Sequence, residues 1–100
     1  MTKQNILDSI TSARNTLSLY GVSRIGLFGS ASRGELTESS DIDVLIEFSQ
    51  GNKTYRNLYN ASEFLEKLFN RSVDVVTHES ISPYIKPHIL KDIQYVEIAN

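Results

Sequence analysis

The sequence predicts an α/β protein with mixed α+β character, in which a small mixed β-sheet carries helices packed on one face. Near the amino terminus, apolar residues recur at spacings of three and four, which indicates an amphipathic helix. Short aliphatic stretches at 25–28, 44–46 and 73–76 are typical of strands. Helical patterns and strands alternate along the chain, and a mixed sheet with helices on one face accommodates this order.

The first helix is predicted from about Gln4 to Tyr20. Its apolar stripe consists of Ile6, Ile10, Ala13 and Leu17. Thr2 or Asn5 is the expected N-cap, and Gly21 stands where a left-handed residue ends a helix. The first strand is then expected over Val22–Phe28.

One short helical turn is predicted at Ser30–Gly34, followed by a polar loop over residues 35–40. The second strand, Ile42–Phe48, has an inner part that is apolar on both faces, as expected of a buried strand. The longest helix is predicted over Thr54–Phe69 and ends at Asn70. Its apolar set is Tyr55, Leu58, Tyr59, Leu65, Leu68 and Phe69, and most of the aromatic residues Tyr55, Tyr59, Phe64 and Phe69 are expected in the core.

The third strand is predicted at Val73–Val76. A last helix is expected to open at Pro83 and to run to about Lys91, although Pro87 removes a backbone donor inside it. The helix is therefore kinked at Pro87 or begins only there. Tyr95–Ile98 is expected to form a terminal edge strand.

The composition favours one globular domain over residues 1–100, since 40% of the residues are hydrophobic. The formal net charge is −2 and there is no basic run, so we expect no broad binding of nucleic acid. The chain has no cysteine, which excludes disulfides, zinc–thiolate sites and thiol catalysis. The polar stretch Met1–Asn5 and the absence of a long apolar run predict a cytoplasmic protein with no membrane span.

The most informative motif is Gly29-Ser30, ten intervening residues, and then Asp41-Ile42-Asp43. Residues two apart on a strand share a face, so the carboxylates of Asp41 and Asp43 are expected to project together. Two neighbouring carboxylates repel each other, and a divalent cation with oxygen preference, such as Mg²⁺, relieves that repulsion. In the alternative interpretation, Asp41 caps a solvated turn.

The Gly-Ser pair ends one strand and can open a helical turn, where backbone N–H groups and a hydroxyl are offered to an anion. The alternative is a plain turn with Ser30 as N-cap. An anion site beside paired carboxylates predicts metal-assisted phosphoryl or nucleotidyl chemistry. Arg33 is a further candidate for phosphate contact, and Glu35 is its expected ion-pair partner or a loop residue.

A third acid, Asp74, lies between Val73 and Val75 in a strand where a charge is unexpected. If the third strand lies beside the second, Asp74 can join Asp41 and Asp43. The alternative is an edge-strand acid that faces solvent.

His78 and His88 have no partner at the sequence spacing of metal ligands, so they are expected in surface or capping roles. Tyr84 and Tyr95 are candidates for a partner interface.

This pattern resembles the polymerase-β-like nucleotidyltransferase superfamily. With Arg33-Gly34-Glu35 in the spacer and Ser40 before the first acid, the chain is similar to the minimal, MNT-type members. The chain departs from many members at Ala31, where they carry a basic residue. The resemblance implies the same fold with the site at one edge of the sheet.

The resemblance further implies that Asp41, Asp43 and Asp74 hold Mg²⁺, with two ions expected, and that Gly29, Ser30 and Arg33 contact the triphosphate. ATP is the expected donor, and a nucleoside monophosphate passes to a hydroxyl. Asp74 would bind the metal nearer the attacking hydroxyl and help to remove its proton.

Minimal members are typically paired with a small helical toxin of the HEPN family. The resemblance therefore implies a hetero-oligomer in which this chain is the antitoxin and modifies a toxin tyrosine, masks the toxin by binding, or does both. A catalytically idle antitoxin and a nucleotidyltransferase that acts on a small molecule are the alternatives.

Overall fold

A computed structural model describes residues 1–99 of the chain. Its helices are α1 (Lys3–Ser12), α2 (Arg14–Leu19), α3 (Gly29–Ser32), α4 (Tyr55–Phe69) and α5 (Lys86–Lys91). Its strands are β1 (Val22–Phe28), β2 (Ile42–Phe48), β3 (Val73–Val76) and β4 (Gln94–Glu97), and a 3₁₀ turn at His78–Ser80 follows β3. Within this range no helix is long and apolar enough to cross a membrane.

The four strands form one sheet in the order β3-β2-β1-β4. Strand β1 pairs antiparallel with both β2 and β4, whereas β2 and β3 run parallel. The mixed sheet predicted from the sequence is therefore confirmed, with β4 at one edge. The predicted bounds of β1, β2 and β3 agree with the structure, and β4 begins one residue earlier than expected.

Helices cover one face of this sheet. Ile25 and Leu27 of β1 lie opposite Ile46 and Val44 of β2, and these four side chains point to the helical layer. The core is completed by buried residues of the helices, chiefly Ile6, Leu7, Ile10, Leu17, Ala61, Leu65 and Phe69. Because successive strand residues alternate between faces, the intervening residues lie on the other face. We call it the polar face, and it carries Arg24, Gly26, Asp43, Leu45, Glu47, Asp74 and Tyr95.

The amino-terminal helix is not continuous, contrary to the prediction. Thr2 caps α1 in a reciprocal capping box with Asn5. At Ala13 the backbone leaves helical geometry, and its N–H donates to both Ser9 and Ile10 carbonyls. This tighter local bonding divides the predicted helix into α1 and α2, yet the apolar stripe still faces the core. Gly21 follows with a φ of 77°, as the sequence predicts.

Helix α4 has well-defined ends, but the prediction that most of its four aromatic residues lie in the core is wrong. The Thr54 hydroxyl accepts from the Asn57 N–H at the start, and Asn70 is left-handed at the end. Tyr55 and Tyr59 are exposed, whereas Ala61, Leu65 and Phe69 are buried. Tyr59 precedes Ala61 by two residues, which is about 200° around the helix axis, so it points away from the sheet.

The carboxyl-terminal region differs from the prediction in where its helix begins. Helix α5 opens at Lys86 rather than at Pro83, with Pro87 in its first turn, where a missing N–H costs no helical hydrogen bond. The alternative start at Pro87 is thus the better description. None of the residues of α5 is buried.

Candidate active site

Two of the predicted acids lie side by side on the polar face. Asp43 of β2 and Asp74 of β3 are register partners on neighbouring parallel strands. Partners in a parallel ladder point to the same side of the sheet, so both carboxylates project from the polar face. Asp43 is half-buried and Asp74 is exposed. Asp41 lies one residue before β2 and is also exposed.

The three acids are close enough to influence one another. Partial burial raises the pKa of Asp43, and the negative charges of Asp74 and Asp41 raise it further. The positive charge of Arg33 acts in the opposite direction but does not cancel these effects. The structure therefore concentrates uncompensated negative charge at the start of β2 and β3.

Gly29 brings the two halves of the sequence motif together. It follows β1 with a φ of 70° and begins the single turn of α3. A Cβ atom at this position would overlap the carboxylate of Asp43 and lie 3.2 Å from its Cγ. Only glycine combines this backbone conformation with such a close approach. Ser30, the next residue, is half-buried in the same turn.

Arg33 is placed at the end of α3, where two acids hold it. Its Nε donates to Glu35 Oε1 at 2.8 Å, and its Nη1 lies 3.6 Å from Asp92 Oδ2. The Ser32 hydroxyl also donates to the Asp92 carbonyl. The expected pairing of Arg33 with Glu35 is confirmed, whereas the contact with Asp92 was not anticipated from the sequence.

The donor set is chemically suited to a hard divalent cation, because Asp41, Asp43 and Asp74 offer only carboxylate oxygens. A dication would also relieve the repulsion that raises the pKa of Asp43. As the side chains stand, however, no group of three or more acidic or histidine residues within residues 1–99 is arranged to hold a metal ion. The residues fit Mg²⁺ by chemistry and by charge, without forming a closed ligand shell.

A second polar cluster lies further along the same face and was missed in the sequence. Glu47 Oε1 accepts from Arg24 Nε at 2.9 Å, and Glu47 Oε2 lies 3.0 Å from His78 Nε2. The guanidinium of Arg24 stacks over the ring of Tyr95 at 3.6 Å from its centroid. Burial alone would raise the pKa of Glu47, but the hydrogen bonds with Arg24 and His78 hold it below its usual value.

The alternation of Asp43, Leu45 and Glu47 along one strand was the available signal for this cluster. The members that surround Glu47 could not be found from sequence, because they come from β1, from β4 and from the 3₁₀ turn after β3. A cavity of about 200 Å³ opens beside it, lined by Ile46, Glu47, Phe48, Lys53, Thr77, His78 and Glu79. His88 lies on α5 and is exposed.

The chain is similar to known proteins over nearly its whole length. The family model described as a nucleotidyltransferase domain matches residues 10–96. The protein adenylyltransferase MntA of Thermococcus cleftensis is 33% identical over 96% of this chain and 97% of that protein. The candidate protein adenylyltransferase MJ1379 of Methanocaldococcus jannaschii is 44% identical over 77% of this chain and 79% of that protein.

Solved structures share the fold. A candidate minimal nucleotidyltransferase superposes with a TM-score of 0.72 at 28% identity, covering 94% of this chain and 95% of the other. A toxin–antitoxin complex crystallised with AMP-PNP gives a TM-score of 0.65 at 19% identity, over 95% of this chain and 72% of that one. The family model over residues 10–96 and the 33% identity to MntA over nearly the full length of both chains settle the assignment. This chain belongs to the nucleotidyltransferase domain family and is a nucleotidyltransferase.

Proposed function

We propose that this nucleotidyltransferase is a protein adenylyltransferase, which transfers AMP from ATP to a hydroxyl of a partner protein and releases pyrophosphate. The observation that carries the proposal is the pair Asp43 and Asp74 on neighbouring strands, directly beside the Gly29–Ser30 turn. The full-length likeness to a protein adenylyltransferase supports a protein as the acceptor.

In this proposal the Gly29–Ser30 turn and Arg33 receive the triphosphate. Gly29 lets the backbone come within contact of the Asp43 carboxylate, so phosphate and metal sites adjoin. Arg33 is half exposed at the end of the same turn and can exchange a carboxylate partner for a phosphate oxygen. The AMP-PNP bound in the related toxin–antitoxin complex is consistent with ATP as the donor.

Asp41, Asp43 and Asp74 would hold Mg²⁺, which supplies charge stabilisation for the attacking and leaving oxygens when bound. The chain itself contributes two carboxylates of different exposure. Half-buried Asp43 lies against the Gly29 turn, so it is placed towards the nucleotide. Asp74 is exposed, and we assign it the role of taking the proton of the acceptor hydroxyl.

We further propose that the acceptor is a tyrosine of a small helical toxin of the HEPN family. The chain would then act as the antitoxin, as a single catalytic domain over residues 1–100 in a cytoplasmic hetero-oligomer. The family resemblance implies such a partner, and a solved toxin–antitoxin complex shares the fold.

One observation favours a second candidate, an antitoxin that masks its partner without catalysis. Tyr84 and Ile85 expose apolar side chains that a bound partner would cover without any chemistry. A masking protein would retain the fold and its partner surface while needing neither metal nor nucleotide.

The deciding experiment measures the intact mass of the proposed helical HEPN-family partner, after co-expression with the wild type and with Asp43→Asn. A gain of one or more AMP units with the wild type alone supports protein adenylylation. An unmodified partner that co-purifies with both forms would overturn it and leave the masking antitoxin.

A further inference from the structure

The segment from Ser82 to Asp92, which we call the 82–92 segment, exposes apolar side chains that the fold does not use. Tyr84 is 89% exposed, Ile85 54% and Leu90 37%, and α5 within it has no buried residue. A helix of a globular protein normally buries an apolar stripe against its own core. Clustered apolar exposure of this kind marks an interaction surface.

The segment is anchored beside the candidate active site. The Ser32 hydroxyl donates to the Asp92 carbonyl, and Arg33 Nη1 lies 3.6 Å from the Asp92 carboxylate. The next residue, Ile93, packs against Gly26 on the polar face, where a Cβ on the glycine would overlap it. A partner bound to the segment would therefore lie next to the Gly29–Arg33 turn.

The charge of the segment is opposite to that of the chain. Lys86 and Lys91 are positively charged, whereas the net charge of the whole protein is −2. The single acid of the segment, Asp92, faces Arg33. Its free surface thus combines apolar and positive side chains, and complementary charge is what steers and orients a protein partner.

We propose that the 82–92 segment is the docking surface for the acceptor protein, and that the acceptor presents an acidic, apolar stretch next to the hydroxyl that is modified. The inference rests on the proposed adenylyl transfer to a protein. Tyr84 is the expected anchor, because large aromatic residues at the centre of an interface carry much of its binding energy. Two lysines are too few for binding to a nucleic-acid backbone or a membrane, so a protein is favoured.

Binding is measured separately from catalysis, by fluorescence anisotropy on the Asp43→Asn protein. The probe is a short labelled peptide with one tyrosine, leucines and glutamates, and its control replaces every glutamate by lysine. We expect the acidic peptide to bind more tightly. The Kd of the acidic peptide should rise about tenfold in Leu90→Glu. It should rise by a similar factor in the double variant Lys86→Glu with Lys91→Glu.

Matched controls are available on the helical layer. Leu68 has the same exposed fraction as Leu90, 37%, but lies on α4 on the other side of the sheet, and Arg14 on α2 is an exposed basic residue. Leu68→Glu and Arg14→Glu should change the Kd less than twofold. Thermal unfolding of every variant verifies that it is folded. The double lysine variant should prefer the lysine peptide, a reversal that loss of folding cannot produce.

The remaining outcomes separate this inference from the function on which it rests. Wild-type protein, ATP and the acidic peptide are tested for AMP transfer. Binding that follows the charge reversal, with neither the peptide nor the co-expressed partner gaining AMP, would leave the docking surface intact and remove the proposed function. AMP transfer with an unchanged KM in all variants would overturn the docking surface alone.

Other occupants of the segment are tested with the same variants. The docking surface is overturned if Leu90→Glu abolishes self-association of the chain and leaves peptide binding unchanged. It is equally overturned if the lysine variants lose only binding to phosphatidylserine vesicles or to a single-stranded RNA.

Discussion

Gly29 lies so close to Asp43 that a Cβ atom on the glycine would overlap the Asp43 carboxylate, and the backbone after β1 thereby meets the first acid of β2. The two residues are separated by fourteen positions in the sequence, which spans the whole motif. The intervening loop has to return the chain antiparallel to β1, and the pairing of Phe28 with Asp43 fixes where it ends. The spacing of the motif thus reflects the requirement that Gly29 and Asp43 lie next to each other in the fold.

Gly29→Ala should damage both the fold and the site. The added Cβ meets the Asp43 carboxylate, and a φ of 70° is strained for alanine. We expect a loss of about 1–2 kcal/mol in the free energy of unfolding, together with loss of nucleotidyl transfer. Gly51→Ala is the matched control, because Gly51 has a φ of 82° and no neighbour within 4 Å. Urea unfolding of both variants measures the difference, and equal losses would show that backbone strain alone is responsible.

Asp43→Asn should stabilise the protein while it abolishes activity. Burial and two neighbouring acids raise the pKa of Asp43, so the folded state binds a proton more readily than the unfolded state. Stability therefore falls as the pH rises from the ordinary aspartate pKa, about 3.9, through the raised value. Removing the charge should increase the melting temperature at neutral pH, and activity should fall more than about a hundredfold.

The same variant tests metal binding without an activity assay. Mg²⁺ should stabilise the wild type against heat by binding to the folded state, and the shift should vanish in Asp43→Asn. Equal shifts in both proteins would place the metal elsewhere. The comparison is made at constant ionic strength, so that screening of surface charges is the same in both samples.

Arg33→Ala should weaken ATP binding with little effect on stability. The arginine side chain is 46% exposed and its two ion pairs lie at the surface, where such pairs contribute at most about 1 kcal/mol. A phosphate contact, in contrast, should be visible as an increase in the KM for ATP of about tenfold. Glu35→Gln is the control that removes a partner of Arg33, and it should leave the KM equal or lower. A KM that is unchanged in Arg33→Ala would restrict this residue to a structural role.

Glu47→Gln should destabilise the fold, and the effect should depend on pH. Although burial opposes it, pairing with Arg24 and His78 lowers the pKa of Glu47, so its contribution is complete above the ordinary glutamate pKa of about 4.3. That contribution is lost as the pH falls through the lowered folded-state value. We expect a cost of about 1–3 kcal/mol at neutral pH, and the two proteins should converge at strongly acidic pH in urea titrations. A difference in the free energy of unfolding that stays constant across the pH range would contradict the stabilising role of ionised Glu47.

Local patterns determined the elements around the site. The bounds of β1, β2 and β3 follow from short aliphatic runs between turn residues, because strand formation and the alternation of faces are set by neighbouring residues. Gly29, Ser30 and the acids Asp41 and Asp43 were recognisable as site candidates from their spacing in the motif. The identity of Asp74 as a third candidate followed from a charge placed inside a β-branched strand.

The tertiary structure decided which side chains from different strands lie next to each other. That Asp74 lies beside Asp43 depends on β3 joining β2 in parallel, a pairing that no local pattern specifies. The link between Glu47 and His78 and that between Arg33 and Asp92 likewise join residues that are distant in the sequence. The sequence determined which residues are candidates for the site, through short-range spacing. Their convergence was fixed by the sheet order, which emerges only when the whole core is buried at once.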